Sequence, residues 1–272
     1  LGVPKSVQDL SSKFIFNDPD SLERLFKTDP VGFAAVILEP TGTCEPEDGF
    51  LERVRELCDQ YGVVLVFDEI VTGFRVDMGG AQRKYGVTPD LATFGKAMAN
   101  GMPISTIVGK REIMKLMDDI FFSGTFGGET LSLAAALATI TKLEKINAPE
   151  VFERTGRTIR DAVQSIITDF ELDDIVSVVG VDWWPRIVVE AYGKNSQIEM
   201  TTLLRQELIE QGIFMGGGFN LSIAHNDESV IAETLHGIHQ SFEKFSKYLK
   251  TDNPVSNLRG ELIKPVFQVR SI

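Results

Sequence analysis

An acid and a lysine stand at the ends of two short apolar segments of this sequence. Asp68 follows the run of residues 63–67 directly. Lys96 follows the run of residues 91–94, with Gly95 between them. Runs of this kind, rich in β-branched residues, are typical of parallel strands buried on both faces. Open α/β sheets bind ligands at the carboxyl ends of such strands. We therefore expect Asp68 and Lys96 to serve one ligand site.

A carboxylate and a primary amine at neighbouring strand ends are the two groups that pyridoxal phosphate (PLP) requires of a protein. The lysine binds the aldehyde as a Schiff base, and the carboxylate pairs with the ring nitrogen. An apolar strand followed by an acid also occurs in P-loop NTPases, where the acid holds magnesium. Those proteins need a G-x-x-x-x-G-K-[ST] loop as well. The sequence contains no such loop, which disfavours an NTPase.

Three motifs surround these residues: FDEIVTGFR at 67–75, GVTPDLATFGKAMANGMP at 86–103 and FFSGTFGGETLSLAAALAT at 121–139. In type, order and spacing they resemble motifs of the class III aminotransferases, and most of all the glutamate-1-semialdehyde aminomutase branch. The resemblance extends from about residue 14 to the end. There SIAHNDESVIAETL at 222–235 and KPVFQVR at 264–270 are similar to the family's C-terminal signatures.

The resemblance implies an α/β fold of the fold-type I PLP-dependent transferases, with a large, mostly parallel sheet domain and a smaller α+β domain. It implies PLP as cofactor and amino-group transfer through the lysine. The substrate would be a small amino, keto or aldehyde compound. The enzyme would be an aminotransferase or an aminomutase, the latter an isomerase, and the motifs do not separate the two.

Matching motif positions give each site residue an expected role. Lys96 and Asp68 are the catalytic pair and also bind the cofactor. Ile70, expected on the same side of an extended chain as Asp68, packs on the cofactor ring in the family; a core isoleucine fits the sequence equally. Thr125 matches a threonine that reaches the phosphate of the neighbouring subunit, which implies a homodimer with shared active sites; the alternative is an ordinary helix-start turn. Glu39 matches a Glu-Pro beside the cofactor pocket, or is a structural loop acid.

One position departs from the family pattern. Many relatives have Gly-Asn-Pro where this chain has Gly128-Glu129-Thr130. We expect the backbone N–H groups near this helix start, together with Thr125, to bind phosphate, because helix N-termini attract anions. A carboxylate at Glu129 would repel that phosphate unless it points away.

We divide the chain into residues 1–147, the C-terminal part of the large domain, residues 148–251, the small domain, and a tail of residues 252–272. The break follows from Asn147 and Pro149, which interrupt a helical pattern. The resemblance implies that a phosphate loop and a ring-stacking aromatic residue belong upstream of Leu1. The alternative function is therefore an incomplete homologue with weak cofactor binding and no independent catalysis.

Composition excludes several other classes of protein. The net charge of −12 disfavours nucleic acids and anionic membranes as partners. The sequence has no apolar run near the ~20 residues of a membrane helix. Its two cysteines form no disulfide framework, which favours the cytoplasm. Three histidines without a cysteine or paired-acid pattern predict no metal site.

Overall fold

The computed structural model of the protein describes residues 2–216 and 218–264. Most of the KPVFQVR motif, and the end of the predicted tail, lie outside the described residues. The chain divides between Pro149 and Glu150 into two compact units.

The first unit is built around a four-stranded sheet in the order β1-β2-β3-β4. Strands β1, β2 and β3 are parallel, and β4 runs antiparallel to β3. Its elements are α1 Lys5–Gln8, α2 Pro19–Thr28, β1 Ala35–Leu38, α3 Phe50–Tyr61, β2 Val64–Asp68, α4 Ala81–Lys84, β3 Leu91–Phe94, β4 Thr106–Gly109, α5 Arg111–Met114 and α6 Thr130–Lys145. Two 3-10 turns, Lys96–Ala99 and Lys115–Asp118, complete the unit.

The register of the sheet aligns three strand ends. Leu38 pairs with Phe67, and Phe67 pairs with Ala92. The next residues along the strands are therefore Glu39, Asp68 and Thr93. The sequence prediction of two neighbouring strands that end near Asp68 and Lys96 is confirmed.

Helices α2 and α3 cover one face of this sheet. Their apolar side chains form a single core with the inward residues of β1 and β2. This core includes Phe26 of α2, Leu57 of α3, and Leu65 and Phe67 of β2. On the other face Ile37 is 62% exposed, and Val64 and Val66 are only half-buried. The prediction that the strand before Asp68 is buried on both faces is wrong. In the described chain the helices that cover β2 lie on one side.

A buried carboxylate connects the elements of this unit. Asp90, directly before β3, accepts hydrogen bonds from the Leu65 N–H at 2.7 Å and from Arg55 Nη1 at 2.9 Å. Lys110 Nζ lies 2.6 Å from its other oxygen. Burial alone would raise the pKa of Asp90, but hydrogen bonds from Lys110, Leu65 and Arg55 outweigh it and hold this pKa below its usual range.

The second unit combines three helices with a two-stranded hairpin. Its elements are α7 Ala148–Asp169, β5 Val176–Val181, β6 Trp184–Val189, α8 Gln197–Glu210 and α9 Glu228–Leu249, with 3-10 turns at Ile223–Asn226 and Pro254–Asn257. The hairpin is antiparallel and turns at Asp182 and Trp183. Buried residues from α7, α8 and α9 include Val163, Ile167, Leu203, Phe242 and Phe245.

The segment predicted as a tail contacts α8 as far as it is described. The Arg259 guanidinium lies 2.8 Å from the buried Glu207 carboxylate. The Ile263 N–H donates to Thr202 Oγ1 at 3.3 Å. None of the helices in the described residues combines the length and apolar character that crossing a membrane requires.

We predict that Asp90→Asn lowers the free energy of unfolding of the first unit by about 2–4 kcal/mol, because Arg55 and the Leu65 N–H lose a buried charged partner. Cys58 is fully buried in this unit, and burial raises the pKa of its thiol to about 11. Its labelling by a thiol reagent in a Cys44→Ser background therefore reports opening of this unit alone. The labelling rate should rise roughly 30- to 700-fold.

Asp59→Asn is the matched control, because Asp59 contacts the same Arg55 at 2.7 Å but is mostly exposed. It should change the labelling rate only a few-fold.

The lowered pKa of Asp90 also predicts how the stability of the first unit depends on pH. The Asp90 contribution is complete above the unfolded pKa of about 3.9 and is lost as pH falls through the lower native value. Equal rates in the two variants would contradict the role of Asp90.

Candidate functional site

Asp68 is the last residue of β2, and its carboxylate is fixed at the strand end. Its Oδ1 accepts the Ile70 N–H at 3.0 Å and the Thr93 hydroxyl at 3.3 Å. Residues two apart on a strand share a face, so Asp68 lies on the half-covered face with Val64 and Val66. A carboxylate that is held by its neighbours and only half-buried remains available to a ligand.

The chain turns immediately after Asp68, so the predicted extended path to Ile70 is wrong. Glu69 causes the turn. Its buried carboxylate accepts hydrogen bonds from the Thr72 hydroxyl and from the N–H groups of Ala81 and Gln82, both at 2.9 Å. These hydrogen bonds hold the loop after β2 close to Glu69 and fix the start of α4.

The sequence analysis missed Glu69, and one glycine was the available signal. Gly80 has a φ of +76°, and a Cβ there would lie 2.6 Å from Glu69 Oε1. A glycine in this conformation, directly before a short helix, marks a close approach by another group. The adjacent acids Asp68 and Glu69 therefore have different tasks, since one faces a half-open surface and the other is buried.

The loop after Asp68 packs on β3 and brings Ile70 beside the lysine segment. A Cβ on Gly73 would lie 2.4 Å from Phe94 Cδ1, which shows how closely the loop approaches the strand. Ile70 Cγ2 is 3.7 Å from the place where Gly95 would carry a Cβ. The structure thus places Ile70 next to the residue that precedes Lys96, although the chain reaches it by a turn.

Lys96 is exposed and begins the 3-10 turn Lys96–Ala99 with a φ of +42°. Residues other than glycine rarely adopt positive φ, and such conformations concentrate at functional sites. The turn packs against α6, because Met98 and Ala99 form a buried cluster with Ala136 of that helix. Lys96 therefore extends from a well-packed turn that Gly95 separates from the end of β3.

Glu39 and Thr125 have looser settings. Glu39 follows β1 at the aligned strand ends and is exposed, and a Cβ on Gly42 would lie 3.7 Å from its Oε2. Thr125 is exposed in a turn before α6. Among the described residues, no hydrogen bond joins Thr125 to Asp68, Ile70 or Lys96. The contacts place Ile70 beside Asp68 and beside Gly95, which precedes Lys96.

Glu129 occupies the N-terminus of α6. Its carboxylate accepts the Leu131 N–H at 2.6 Å and the Ser132 N–H at 2.7 Å. Hydrogen bonds from Ser132 and from the Leu131 N–H lower its pKa. The expected phosphate-binding N–H groups therefore already have a carboxylate partner, and Glu129 does not point away from them.

These groups fit the requirements of PLP at the ring end better than at the phosphate end. The exposed amine of Lys96 is reachable, and the Asp68 carboxylate is oriented by two donors at the adjacent strand end. At the phosphate end the described residues offer the Thr125 hydroxyl, whereas the first free N–H groups of α6 are capped by Glu129.

Comparison with known proteins identifies the family. The family model described as aminotransferase class-III matches residues 6–207. The chain belongs to the class III aminotransferases. It is 35% identical over 257 residues to a 3-aminobutyryl-CoA aminotransferase of Cloacimonas acidaminovorans, covering 91% of this chain and 61% of that protein. It is 33% identical over 264 residues to a glutamate-1-semialdehyde 2,1-aminomutase of Ignicoccus hospitalis, covering 90% of this chain and 61% of that protein.

A solved structure, described as a transaminase with PLP bound, superposes with a TM-score of 0.81 at 25% identity. The match covers 92% of this chain and 61% of that one. The predicted family and the α/β, fold-type I architecture are confirmed. The class III chain spans about three fifths of the length of each of these relatives.

We predict that Gly73→Ala destabilises the first unit by about 1–3 kcal/mol, because its Cβ would overlap Phe94 and the Glu69 carbonyl. Gly95→Ala is the matched control in the same site. Its φ of −174° is extended, and its Cβ would meet neighbours at ordinary distances of 3.7 to 3.8 Å. Thiol labelling of Cys58 measures both variants. Equal effects of the two substitutions would contradict the close packing of this loop on β3.

Proposed function

We propose that this class III chain carries the reactive residues of a PLP-dependent enzyme that transfers amino groups. The observation that supports this proposal best is the parallel pairing of β2 with β3, which sets Asp68 beside Thr93, three residues before Lys96. An acid and an amine on neighbouring strand ends match the needs of the cofactor and the motifs of the family.

Each residue then has a defined task. PLP, when bound, supplies an electrophilic carbonyl and an electron-withdrawing ring. Lys96 binds through its Nζ and afterwards carries a proton at that nitrogen, since its exposed amine can reach a substrate carbon. Asp68 presents a fixed negative charge to the ring nitrogen, because the Ile70 N–H and Thr93 hydroxyl hold its Oδ1.

The remaining site residues shape the pocket. Ile70 supplies an apolar surface next to Gly95 for one face of the ring. Thr125 donates its hydroxyl to phosphate from the neighbouring subunit, and Glu39 lines the edge at the end of β1. With the α6 N–H groups capped by Glu129, the Thr125 hydroxyl is the phosphate donor that we assign in this segment.

For the reaction we propose movement of an amino group onto a keto or aldehyde carbon of a small substrate. Relatives named as an aminotransferase and as an aminomutase match this chain at 35% and 33% identity. The transfer therefore takes place between two molecules or between two carbons of one molecule. The two free cysteines, Cys44 and Cys58, support a reducing compartment such as the cytoplasm.

An incomplete catalytic unit is the second candidate, and a specific observation favours it. The chain spans 61% of its relatives' length, and the sheet face that carries Asp68 also exposes Ile37 at 62%. An apolar sheet face that is open to solvent is costly, and such an open face would also bind a cofactor less tightly.

We also propose a homodimer, supported by an exposed apolar stripe on the segment 121–137. The stripe consists of Phe121, Phe122, Phe126, Leu131, Leu133 and Leu137. Phe121 is 98% exposed and Leu137 is 70% exposed. Soluble monomers rarely expose so many large apolar side chains in one segment. The stripe includes the neighbourhood of Thr125, so its pairing in a dimer would carry this threonine to the partner.

Incubation of the full chain with PLP, followed by borohydride reduction, should attach a pyridoxyl group to Lys96. Peptide mapping by mass spectrometry measures the labelled position. Lys96→Arg should abolish the label, whereas Lys110→Arg should leave it unchanged, because Lys110 pairs with Asp90 elsewhere in the sheet. A label on Lys84 or Lys110 in the unmodified chain would rule out this assignment.

The same preparation separates the two candidate functions. Labelling at low PLP concentration together with amino transfer supports a self-sufficient enzyme. Labelling of Lys96 only at high PLP concentration, without turnover, supports the incomplete unit. Asp68→Ala should keep the label at Lys96 and lower any turnover by several orders of magnitude, because the ring loses its charged partner.

We expect the double variant Phe121→Glu, Leu137→Glu to convert a dimer into a monomer, because two charges cannot be buried unpaired in an apolar interface. Sedimentation velocity measures the change. Val31→Glu is the control, since Val31 is 94% exposed in the same unit and lies outside the stripe. A dimer that persists in the double variant would contradict an interface at the stripe.

A further inference from the structure

A cavity is lined entirely by residues of the second unit. It measures about 410 Å³ and opens between α7, the residues 212–216 and 218–221, and the first turns of α9. Cavities that bind small molecules usually have volumes of roughly 300–1,000 Å³. This one is large enough for a ligand of about one aromatic ring with a short substituent.

The wall of the cavity is apolar and uncharged. Its side chains are Ile159, Ile213, Phe214, Met215, Phe219, Leu221, Val230 and Ile231, with the polar Asn220, His225 and Thr234. Among the described residues, those that line it include no acid, lysine or arginine. A charged ligand would lose its hydration there without a countercharge, so the cavity favours a neutral molecule.

His225 gives the cavity a hydrogen-bond donor of known identity. The Ser222 N–H donates to His225 Nδ1 at 2.9 Å. A backbone N–H is always a donor, so Nδ1 carries no hydrogen and the neutral ring has its hydrogen on Nε2. Within the described residues, no hydrogen bond uses Nε2. His225 therefore offers one N–H group to an acceptor.

The cavity walls are fixed before any ligand arrives. Asn226, next to His225, accepts hydrogen bonds from Thr155 at 3.0 Å and from Arg154 at 3.3 Å, which tie the 3-10 turn to α7. On the other side the Phe219 N–H donates to the Pro185 carbonyl at 2.9 Å. Preformed walls lower the entropic cost of binding.

Gly218 brings the cavity wall against a tryptophan. A Cβ on Gly218 would lie 3.2 Å from Trp184 Nε1, and this buried nitrogen has no hydrogen-bond partner in the described part of the chain. The sequence contains two tryptophans, Trp183 and Trp184, and both belong to the second unit. Ligand binding against Gly218 is therefore reported by the protein's own fluorescence.

We propose that this cavity is a binding site for a neutral, largely apolar small molecule with one hydrogen-bond acceptor, which His225 Nε2 recognises. The apolar side chains supply the contact area, and the imidazole N–H fixes the orientation of the acceptor. Each residue of the site belongs to the second unit.

Acetanilide is a suitable probe, because it joins one aromatic ring to one amide carbonyl and carries no charge. Saturation-transfer NMR and tryptophan fluorescence of the full chain should both give saturable binding at millimolar concentration. Propylbenzene, which has no acceptor, should bind at least tenfold more weakly. Thr234→Phe, which fills the cavity, should abolish the binding of acetanilide.

The decisive variant is His225→Glu. A glutamate at this position keeps the Ser-x-x-Glu capping box with Ser222 but has no N–H to donate. It should weaken acetanilide binding at least tenfold. His236→Glu introduces the same charge at an exposed position of α9 outside the cavity and should bind as the unmodified chain does.

Three results would overturn the proposal. The first is no saturable signal from the unmodified chain. The second is equal affinity in the His225→Glu and His236→Glu variants. The third is binding of propylbenzene as tight as that of acetanilide, since an acceptor would then have no role.

Discussion

The parallel sheet that carries the proposed catalytic residues depends on the buried carboxylate of Asp90. A charge that is removed from water is stable only when donors surround it. Asp90 has three, from β2, from α3 and from the residue that follows β4. It thereby fixes how β3 enters the sheet next to β2. The opposite ends of the same two strands lead to Asp68 and Lys96, so an ion cluster at the other end of the strands helps to set the spacing of this proposed pair.

Two neighbouring acids at the end of β2 differ in burial and in hydrogen bonding. Glu69 is buried and uses its oxygens to fold the following loop back toward α4. Asp68 is half-buried and is held through one oxygen. A loop that is fixed by a buried carboxylate keeps Ile70 beside Gly95 without help from a ligand. The ring end of the site is therefore assembled by the chain itself.

The sequence was sufficient for features that depend on local pattern. The apolar runs before Asp68 and Lys96, and the alanine-rich run of residues 130–145, were found where the strands and α6 lie. The predictions that were wrong concern features that depend on contacts between residues far apart in the sequence. Alternation along the chain placed Ile70 correctly near Asp68 but for the wrong reason, because the turn is caused by Glu69 and N–H groups twelve and thirteen residues away.

Glu129 shows the same limit. Its type and place suggested repulsion of a phosphate, but a carboxylate can equally well satisfy the N–H groups of its own helix, and only coordinates distinguish the two. The half-open sheet face was also invisible in the sequence. An apolar strand looks the same whether its second face is covered within this chain or not.

The backbone at Lys96 has a consequence for how this position can vary. A side chain with a Cβ at a φ of +42° costs about 1–2 kcal/mol relative to glycine, and asparagine tolerates the region better than lysine. The fold by itself would therefore prefer another residue here. Lys96 therefore stands at a position that its own backbone disfavours, and the protein is less stable there than it would be with a residue that tolerates positive φ.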